Sequence, residues 1–368
     1  MRLKLTQERA LQLRMQSQRL HPRTDAGVAQ LVRDLGVQAQ DLAAATLALR
    51  ARSHGLIADD IRHALESEHS IVRTWAMRGT MHLVAAEDVG WLLGLLGPLF
   101  IAKSAWRYRQ LGLDEEVRTA ATGIIRRVLA TSGPQTRAEL AAALAAKGIP
   151  VEGQAIAHLV GHAALQGVIC SGPRRGATST YVLLEDWIPP GPALDTEQSL
   201  AELALRYIGA YGPATAGDLA RWSGLPMAQA LAGLQSIADR LEEVEVEGAP
   251  AWMLPHREAP PDAPVVRLLP SYDTYLLGYR SREPIVASAY ASRVHLGGGQ
   301  IKPTLLVDGR LAGVWRSARR RQRLTLTLEP FEPLDDHLLP AIRDEAHDVG
   351  RFLGTPAEFA MARPMSDS

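Results

Sequence analysis

A chain of 368 residues, 46% of them hydrophobic, is long enough for two or three domains with a sizeable buried core. Its formal net charge of zero argues against a simple nucleic-acid binder, and its single cysteine, Cys170, excludes an internal disulfide and a thiolate zinc cluster. The chain opens without the apolar core of a signal peptide, and its longest apolar run, residues 89–102, is too short to span a bilayer. We therefore predict a cytoplasmic protein without a membrane partner.

The N-terminal third alternates helical patterns with turns. Four helices are predicted, near residues 7–20, 27–35, 40–51 and 57–67. Two short strands follow around a turn at Arg78-Gly79, and residues 87–113 are predicted to form a helical connector.

An internal repeat occupies the middle of the chain. Residues 132–150 and 211–226 share Gly-Pro, a threonine two residues later, an acid followed by Leu-Ala, and a closing Gly-Ile-Pro or Gly-Leu-Pro. The threonine and the acid three residues on have the form of a capping box, which begins a helix. A helix precedes each copy, and a further helix and a hairpin follow it, which is the pattern of a winged helix. With a looser N-terminal copy, the sequence predicts three such units in tandem.

The pattern becomes β-like from about Pro264. Asp308-Gly309, flanked by apolar residues, is a strong hairpin signal. Residues 295–303 are predicted to be a loop made flexible by three consecutive glycines, and a closing helix and disordered last residues follow. The predicted fold class is α+β. Its predicted parts are three winged-helix units over 1–113, 114–192 and 193–262 and a β-rich part over 263–368.

Most candidate functional features have a structural alternative. His158 and His162 are four residues apart, but no third ligand type follows nearby, so a metal site is not favoured and no cofactor is predicted. The arginine clusters in residues 106–110, 173–176 and 316–323 suit phosphates, yet they could be solvated turns. Three tyrosines could form a stacking platform or pack in the core: Tyr272, Tyr275 and Tyr279. Phosphate loops and the common hydrolase motifs are absent from the sequence.

Gln38 and Gln40 are one residue apart in front of an Ala-rich helix. An amide can hold a water and can set a carbonyl dipole against developing positive charge, and neither role needs a pKa. This suffices where the leaving group is already good, as with a cationic N7-alkylated purine leaving through an oxocarbenium-like transition state. Alternatively, both are surface amides that cap the next helix, and sequence physics alone favours this alternative.

Four segments, in the right order along the chain, resemble the AlkZ/YcaQ family of bacterial winged-helix DNA glycosylases. They are LGVQAQD (35–41), MRGTMHLV (77–84), LLPSYDTYLLGYRSR (268–282) and LLVDGRLAGVWR (305–316). The resemblance implies a C-shaped protein of three tandem winged helices and a C-terminal, β-barrel-like part. The family's catalytic motif, a glutamine, an apolar residue and then glutamine or aspartate, falls on Gln38, Ala39 and Gln40.

Glutamine at the last position of the motif is typical of the AlkZ-like branch, whereas the YcaQ-like branch has aspartate there. The AlkZ-like branch is associated with self-resistance in antibiotic producers and with excision of bulky N7-purine adducts and azinomycin-type interstrand crosslinks. The resemblance therefore implies a glycosylase that acts on double-stranded DNA as a monomer. No lysine is present in the motif region, so the enzyme is predicted to be monofunctional, without lyase chemistry.

The same resemblance assigns roles to individual residues. Gln38 and Gln40 would orient water and stabilise the oxocarbenium ion, and Asp41 would orient one of them or simply begin the helix. The signature RGT-x-H would line the DNA or the site with Arg78, Thr80 and His82. Further predicted contacts to DNA are Arg174, Arg175, Tyr272, Lys302 and Arg310.

Two other classes of function are open on the sequence. A non-catalytic winged-helix regulator would usually be a dimer with one such unit per chain, and the three tandem units disfavour it. A protein-interaction scaffold would leave the arginine clusters without a role.

Overall fold

The structure, a computed structural model, describes residues 2–255 and 263–362. Its α-helices are α1 (Gln7–Ser17), α2 (Val28–Leu35), α3 (Leu42–Arg50), α4 (Ala58–Glu66), α5 (Val89–Lys103), α6 (Ala105–Gln110), α7 (Glu115–Ser132), α8 (Arg137–Ala145), α9 (Ala155–Leu165), α10 (Leu184–Trp187), α11 (Thr196–Tyr211), α12 (Ala216–Ser223), α13 (Met227–Gln235), α14 (Thr274–Leu277), α15 (Ala291–Val294) and α16 (Leu339–Phe352). Short 3₁₀ turns cover Met77–Gly79, Ala86–Asp88, Ala238–Arg240, Ser288–Tyr290 and Asp336–Leu338.

The strands are shorter than the helices on average. They are β1 (Leu3–Leu5), β2 (Ile71–Trp75), β3 (Met81–Ala85), β4 (Gln135–Thr136), β5 (Ile169–Ser171), β6 (Thr180–Leu183), β7 (Glu242–Val246), β8 (Ala249–Met253), β9 (Val266–Leu269), β10 (His295–Gly297), β11 (Gln300–Ile301), β12 (Thr304–Val307), β13 (Arg310–Arg320), β14 (Arg323–Pro330) and β15 (Ala357–Met361). The α+β class is therefore confirmed. Within the described part of the chain, no helix has both the length and the apolar character needed to cross a bilayer.

The described residues group into two compact units. The first unit takes its residues from 1–61, 201–222 and 226–368, and the second unit from 62–200 and 223–225. The predicted division into four parts along the chain stays a prediction.

A five-stranded sheet dominates the C-terminal part of the first unit. Its order is β15-β14-β13-β12-β9, antiparallel except for the parallel pair β14 and β15. Helix α16 packs on it through Ile342, Ala346 and Val349, which share one core with Leu305 and Leu326. Among the described residues the sheet remains open at β9 and β15, so the closure expected of a barrel-like part is not found.

The N-terminal strand β1 was not predicted, because three residues are too few to show periodicity. It pairs parallel with β7, which forms a hairpin with β8. Leu5 and Leu13 pack there against Val244 and Met253. The first residues of the chain therefore extend the hairpin of its third repeat-like segment.

The internal repeat is reproduced element by element. In the second unit, α7, α8 and α9 enclose one core and β4-β6-β5 form a sheet. In the first unit, α11, α12 and α13 are followed by β7 and β8, and Ala214 bridges Trp252 where β4 pairs with β6 in the other copy. Both capping boxes form: Thr136 Oγ1 accepts from the Glu139 N–H at 3.2 Å, and Thr215 Oγ1 accepts from the Asp218 N–H at 3.1 Å.

Glycine-containing turns shape the C-terminal strands. The predicted hairpin turn between β12 and β13 is present, with Asp308 and Gly309 both at positive φ (47° and 83°). Residues 295–303 are not the predicted loop. They contain the ribbon of β10 and β11, which turns at Gly298 and Gly299, whose φ values of 57° and 81° favour glycine. Strand β15 was not predicted, and the expected disorder of the last residues concerns 363–368, which lie outside the described residues.

Candidate active site

The Gln-Ala-Gln motif lies in the link between α2 and α3. Helix α2 ends at Gly36 in the left-handed conformation, and α3 begins at Asp41, whose Oδ1 accepts from the Ala44 N–H at 3.2 Å. Ala39 is fully buried, while Gln38 is half-buried and Gln40 is exposed. The buried side chains of this link are Val37 and Ala39, and the two glutamines that alternate with them are more exposed. The cap of α3 comes from Asp41.

A buried aromatic cluster anchors the start of this link. The Tyr211 hydroxyl donates to the carbonyl of Leu35, the last residue of α2, at 2.7 Å. Its ring stacks on Tyr207 at 4.9 Å between ring centroids, and the Tyr279 hydroxyl donates to the Tyr211 carbonyl at 3.1 Å. Tyr275 and Tyr279 are buried, so core packing is confirmed for these two tyrosines.

Arg50, the last residue of α3, is anchored in a buried ionic cluster. Its Nη1 donates to Glu345 Oε2 and to Asp348 Oδ2, each at 3.0 Å, and its Nη2 donates to the Leu268 carbonyl at 2.6 Å. Burial would raise the pKa of Glu345, but the positive charges of Arg50, Arg23 and Arg267 hold it below its usual value. The helix that follows the glutamines is thus fixed to α16 and β9.

Arg52 and Asp273 form a second, fully buried ion pair. Both side chains have 0% exposure, and the contact is bidentate, with Nη2 to Oδ1 at 2.7 Å and Nη1 to Oδ2 at 2.9 Å. Arg52 Nη2 also donates to Gln18 Oε1 at 2.9 Å. Charge pairing and additional hydrogen bonds are what a buried ion pair needs to offset desolvation. Asp273 belongs to the segment 268–282, so at least part of that segment supports the motif through the core.

The segment RGT-x-H forms the hairpin between β2 and β3 in the second unit. Arg78 is in the turn at φ 57°, and Thr80 closes it by donating from Oγ1 to the Met77 carbonyl at 3.1 Å. His82 on β3 is fully buried and donates from Nδ1 to the Thr80 carbonyl at 2.9 Å. Its Nε2 has no hydrogen-bond partner among the described residues.

Burial and the nearby positive charge of Arg78 lower the pKa of His82 to about 3. The ring is therefore neutral throughout the physiological range. Because its Nδ1 carries the proton, Nε2 presents a lone pair that can accept a hydrogen bond but cannot supply a proton.

This pKa makes the stability of the protein sensitive to acid. The unfolded chain binds the proton near pH 6.5 and the folded chain near pH 3, so the stabilisation by neutral His82 is complete above 6.5 and is lost as the pH falls towards 3. We expect the difference in free energy of unfolding between the protein and its His82→Gln variant to shrink by about 3 kcal/mol from pH 7 to pH 4. Urea unfolding across that range measures it. The difference should be constant from pH 7 to pH 9, and constancy down to pH 4 would contradict the assignment.

The other predicted DNA contacts are distributed over both units. In the second unit, Arg174 Nη2 donates to the Ala177 carbonyl at 2.5 Å, and Arg175 pairs with Glu139 Oε1 at 2.6 Å. Both arginines are exposed but already engaged.

Three predicted contacts belong to the first unit. Tyr272 is half-buried at φ 58°, a conformation that is strained for an aromatic residue. Lys302 is half-buried after β11, and exposed Arg310 pairs with Glu8 at 3.4 Å. Together with Gln38, Gln40 and Asp41, all three lie in the first unit, whereas Arg78, Thr80, His82, Arg174 and Arg175 lie in the second.

The described cysteine and histidine side chains do not form a competing metal site. Cys170 is fully buried, and burial raises the pKa of its thiol to about 12. His162 is buried, and burial with the charge of Arg118 lowers its pKa to about 4. Over residues 2–255 and 263–362, no three histidine, cysteine, aspartate or glutamate side chains are grouped so as to hold a metal ion.

Taken together, these features define an α+β protein with repeated helix-and-hairpin segments and a fixed pair of amides ahead of a helix. Residues 32–352 match the family model described as DNA glycosylase AlkZ-like. The interstrand DNA cross-link repair glycosylase of Streptomyces sahachiroi is 31% identical, over 93% of this chain and 95% of the relative. The solved structure of Streptomyces sahachiroi DNA glycosylase AlkZ superposes with a TM-score of 0.83 at 28% identity, covering 97% of this chain and 100% of that one. The chain belongs to the AlkZ-like DNA glycosylase family.

Proposed function

We propose that this DNA glycosylase is monofunctional and hydrolyses the N-glycosidic bond of bulky N7-alkylated purines in double-stranded DNA. The proposal includes the unhooking of azinomycin-type interstrand crosslinks, for self-resistance in an antibiotic producer. The relative from Streptomyces sahachiroi supports the crosslink as a substrate. The observation that carries the chemistry is the Gln38-Ala39-Gln40 link, between a helix end anchored by Tyr211 and a helix start capped by Asp41.

The chemistry requires orientation more than proton transfer. An N7-alkylated purine is cationic and departs readily, so the difficult species is the oxocarbenium ion at C1′. The amide oxygen of Gln38 would stabilise this charge, and the amide of Gln40 would bind and aim the attacking water. Asp41 already accepts a hydrogen bond from its own helix, so its role is to fix the start of α3. No lysine is close to the motif in sequence, which supports hydrolysis without a Schiff base.

The second unit would contribute contacts to DNA. We assign Arg78 and Thr80, in the turn between β2 and β3, to the DNA backbone. Neutral His82, with Nε2 buried and unpartnered among the described residues, would accept a hydrogen bond from a bound water. Arg174, Arg175, Tyr272, Lys302 and Arg310 are kept as further candidate contacts.

We propose that the repeated segments are winged helices. We also propose that the protein acts on DNA as a monomer in the cytoplasm. Both copies have three helices and a hairpin, with a short strand in one copy and a single β-bridge in the other after the first helix, which supports the winged-helix assignment, and the C-shape stays a prediction. In the second unit, α9 has the position of a recognition helix, but residues 159–165 are all buried, and a Cβ on Gly97 of α5 would lie 2.2 Å from the Leu165 carbonyl oxygen. The corresponding helix α13 has no arginine or lysine. Helix α9 is thus poorly exposed for reading bases, and α13 offers no arginine or lysine to pair with guanine, which favours recognition of a lesion over recognition of a sequence.

The decisive experiment is a gel assay of the purified protein on two duplexes. One carries an N7-guanine interstrand crosslink and the other a single N7-methylguanine, and alkali reveals abasic sites. We expect the crosslinked strands to separate and to break only after alkali, because a monofunctional glycosylase leaves the backbone intact.

Each alternative outcome has a distinct meaning. Release of methylguanine alone would keep the chemistry but replace self-resistance by general alkylation repair. Strand breakage before alkali would contradict the monofunctional assignment. Release of neither base would contradict the proposed substrate class.

A further inference from the structure

Three arginines in the first unit form a cationic cluster outside the glutamine motif: Arg221 on α12, and Arg280 and Arg282 after α14. Arg221 and Arg280 are exposed, and Arg282 is half-buried. Burial and the charge of Arg221 lower the pKa of Arg282, and burial and the charge of Arg282 lower the pKa of His295. Arg221 and Arg282 are thus close enough to repel each other.

One backbone contact places Arg280 beside α12, the helix that carries Arg221. The Arg280 N–H donates to Asp218 Oδ1 at 2.8 Å, which ties the segment after α14 to the first turn of α12. The Arg280 side chain then runs beside that turn, with Cδ and Nη1 each 3.8 Å from the position a Cβ on Gly217 would take. Arg282 Nε donates to the Leu276 carbonyl at 2.7 Å, and this hydrogen bond restrains the position of the guanidinium group.

The carboxylate that accepts from the Arg280 N–H is otherwise directed at Thr215. Asp218 is buried, and its Oδ2 accepts from the N–H and the hydroxyl of Thr215 at 2.9 and 2.8 Å. Within residues 2–255 and 263–362, the guanidinium groups of Arg221 and Arg280 make no ion pair or hydrogen bond, and Arg282 uses only Nε. Arg50 and Arg52, by contrast, engage both terminal nitrogens with carboxylates or carbonyls.

We infer that Arg221, Arg280 and Arg282 bind phosphates of the DNA backbone. Guanidinium groups match phosphate oxygens with paired N–H donors, and an anion between like charges would relieve their repulsion. A backbone site suits an enzyme that recognises damage irrespective of sequence. This inference rests on the proposed function only in taking DNA as the ligand.

Salt dependence of binding to undamaged duplex DNA tests the inference directly. We would measure fluorescence anisotropy of the full chain, the single variants Arg221→Gln and Arg280→Gln, and the double variant, from low to moderate salt. Removing one arginine that neutralises a phosphate should reduce the slope of log K against log salt by about 0.9. The slope of the double variant should therefore be smaller by about two, and its affinity should fall equally on every duplex sequence.

Arg343→Gln is the matched control, because Arg343 is an exposed arginine of the same unit, on α16. Its slope should equal that of the unaltered protein. An unchanged slope in the double variant, with folding verified by thermal unfolding, would overturn the inference. So would a fall in affinity without a change in slope. Because undamaged DNA is the probe, the result does not depend on whether any base is excised.

Discussion

Replacing Gln38 by alanine should lower the single-turnover rate of base excision by about 100- to 1,000-fold, as removal of one oriented dipole does at other polar transition states. Affinity for DNA should be nearly unchanged, because the amide acts on charge that develops during the reaction. Rapid-quench measurement on a duplex with one N7-alkylguanine, at saturating protein, separates the rate from binding. Gln40→Ala should have a comparable effect, because the attacking water would no longer be positioned.

Gln30 provides the matched control. It is an exposed glutamine of α2, and its Nε2 donates to Asp34 Oδ1 at 2.6 Å, within the same helix. Gln30→Ala should retain full excision. If Gln38→Ala and Gln40→Ala both retained it as well, the amides would not be catalytic.

Replacing Asp273 by alanine should lower the free energy of unfolding by about 3–5 kcal/mol, because it leaves the guanidinium group of Arg52 buried without its counter-ion. Both side chains are fully buried, so water cannot take the place of the carboxylate. Urea unfolding of the two proteins at neutral pH measures the difference.

The pair Arg323 and Glu358 offers the exposed comparison, with 75% and 60% of the side chains accessible. Glu358→Ala should change the free energy of unfolding by no more than about 1 kcal/mol. A double variant, Arg52→Met with Asp273→Leu, should recover much of the stability, since it leaves no buried charge. A decrease below about 1 kcal/mol for Asp273→Ala would mean that the pair contributes little.

The elements that the sequence predicted well are those with local causes. Helices α1 to α4 follow apolar periodicity, both capping boxes need only residues three apart, and Asp308-Gly309 dictates its own turn. Strands β1 and β15 could not be predicted, because each exists through parallel pairing with a distant strand. The ribbon of β10 and β11 was mistaken for a loop, since glycines that permit flexibility also permit a tight turn.

In the candidate site, too, features with local causes were predicted and features that depend on distant residues were missed. The position of Gln38 and Gln40 in front of a helix is local and was predicted, as was a helix-start role for Asp41. Arg50 and Arg52 were missed as supports of that helix. Two charged residues at the end of an Ala-rich helix resemble a solvated face, and only the acids of α16 and the segment after β9 make their burial possible. Tyr211 was missed for a similar reason, because its partner is a carbonyl 176 residues away.

The first unit contains contacts between residues that are far apart in sequence, and this has a consequence for folding during synthesis on the ribosome. Arg50 meets Glu345 across 295 residues, so α3 cannot complete its buried ionic contacts until almost the whole chain has been made. The second unit draws nearly all its residues from one continuous stretch, 62–200, and can fold while the rest is still being translated. The glutamine motif leaves the ribosome early, but the helix behind it is held in place only after α16 has been synthesised. We therefore expect the nascent protein to become active only when α16 has folded.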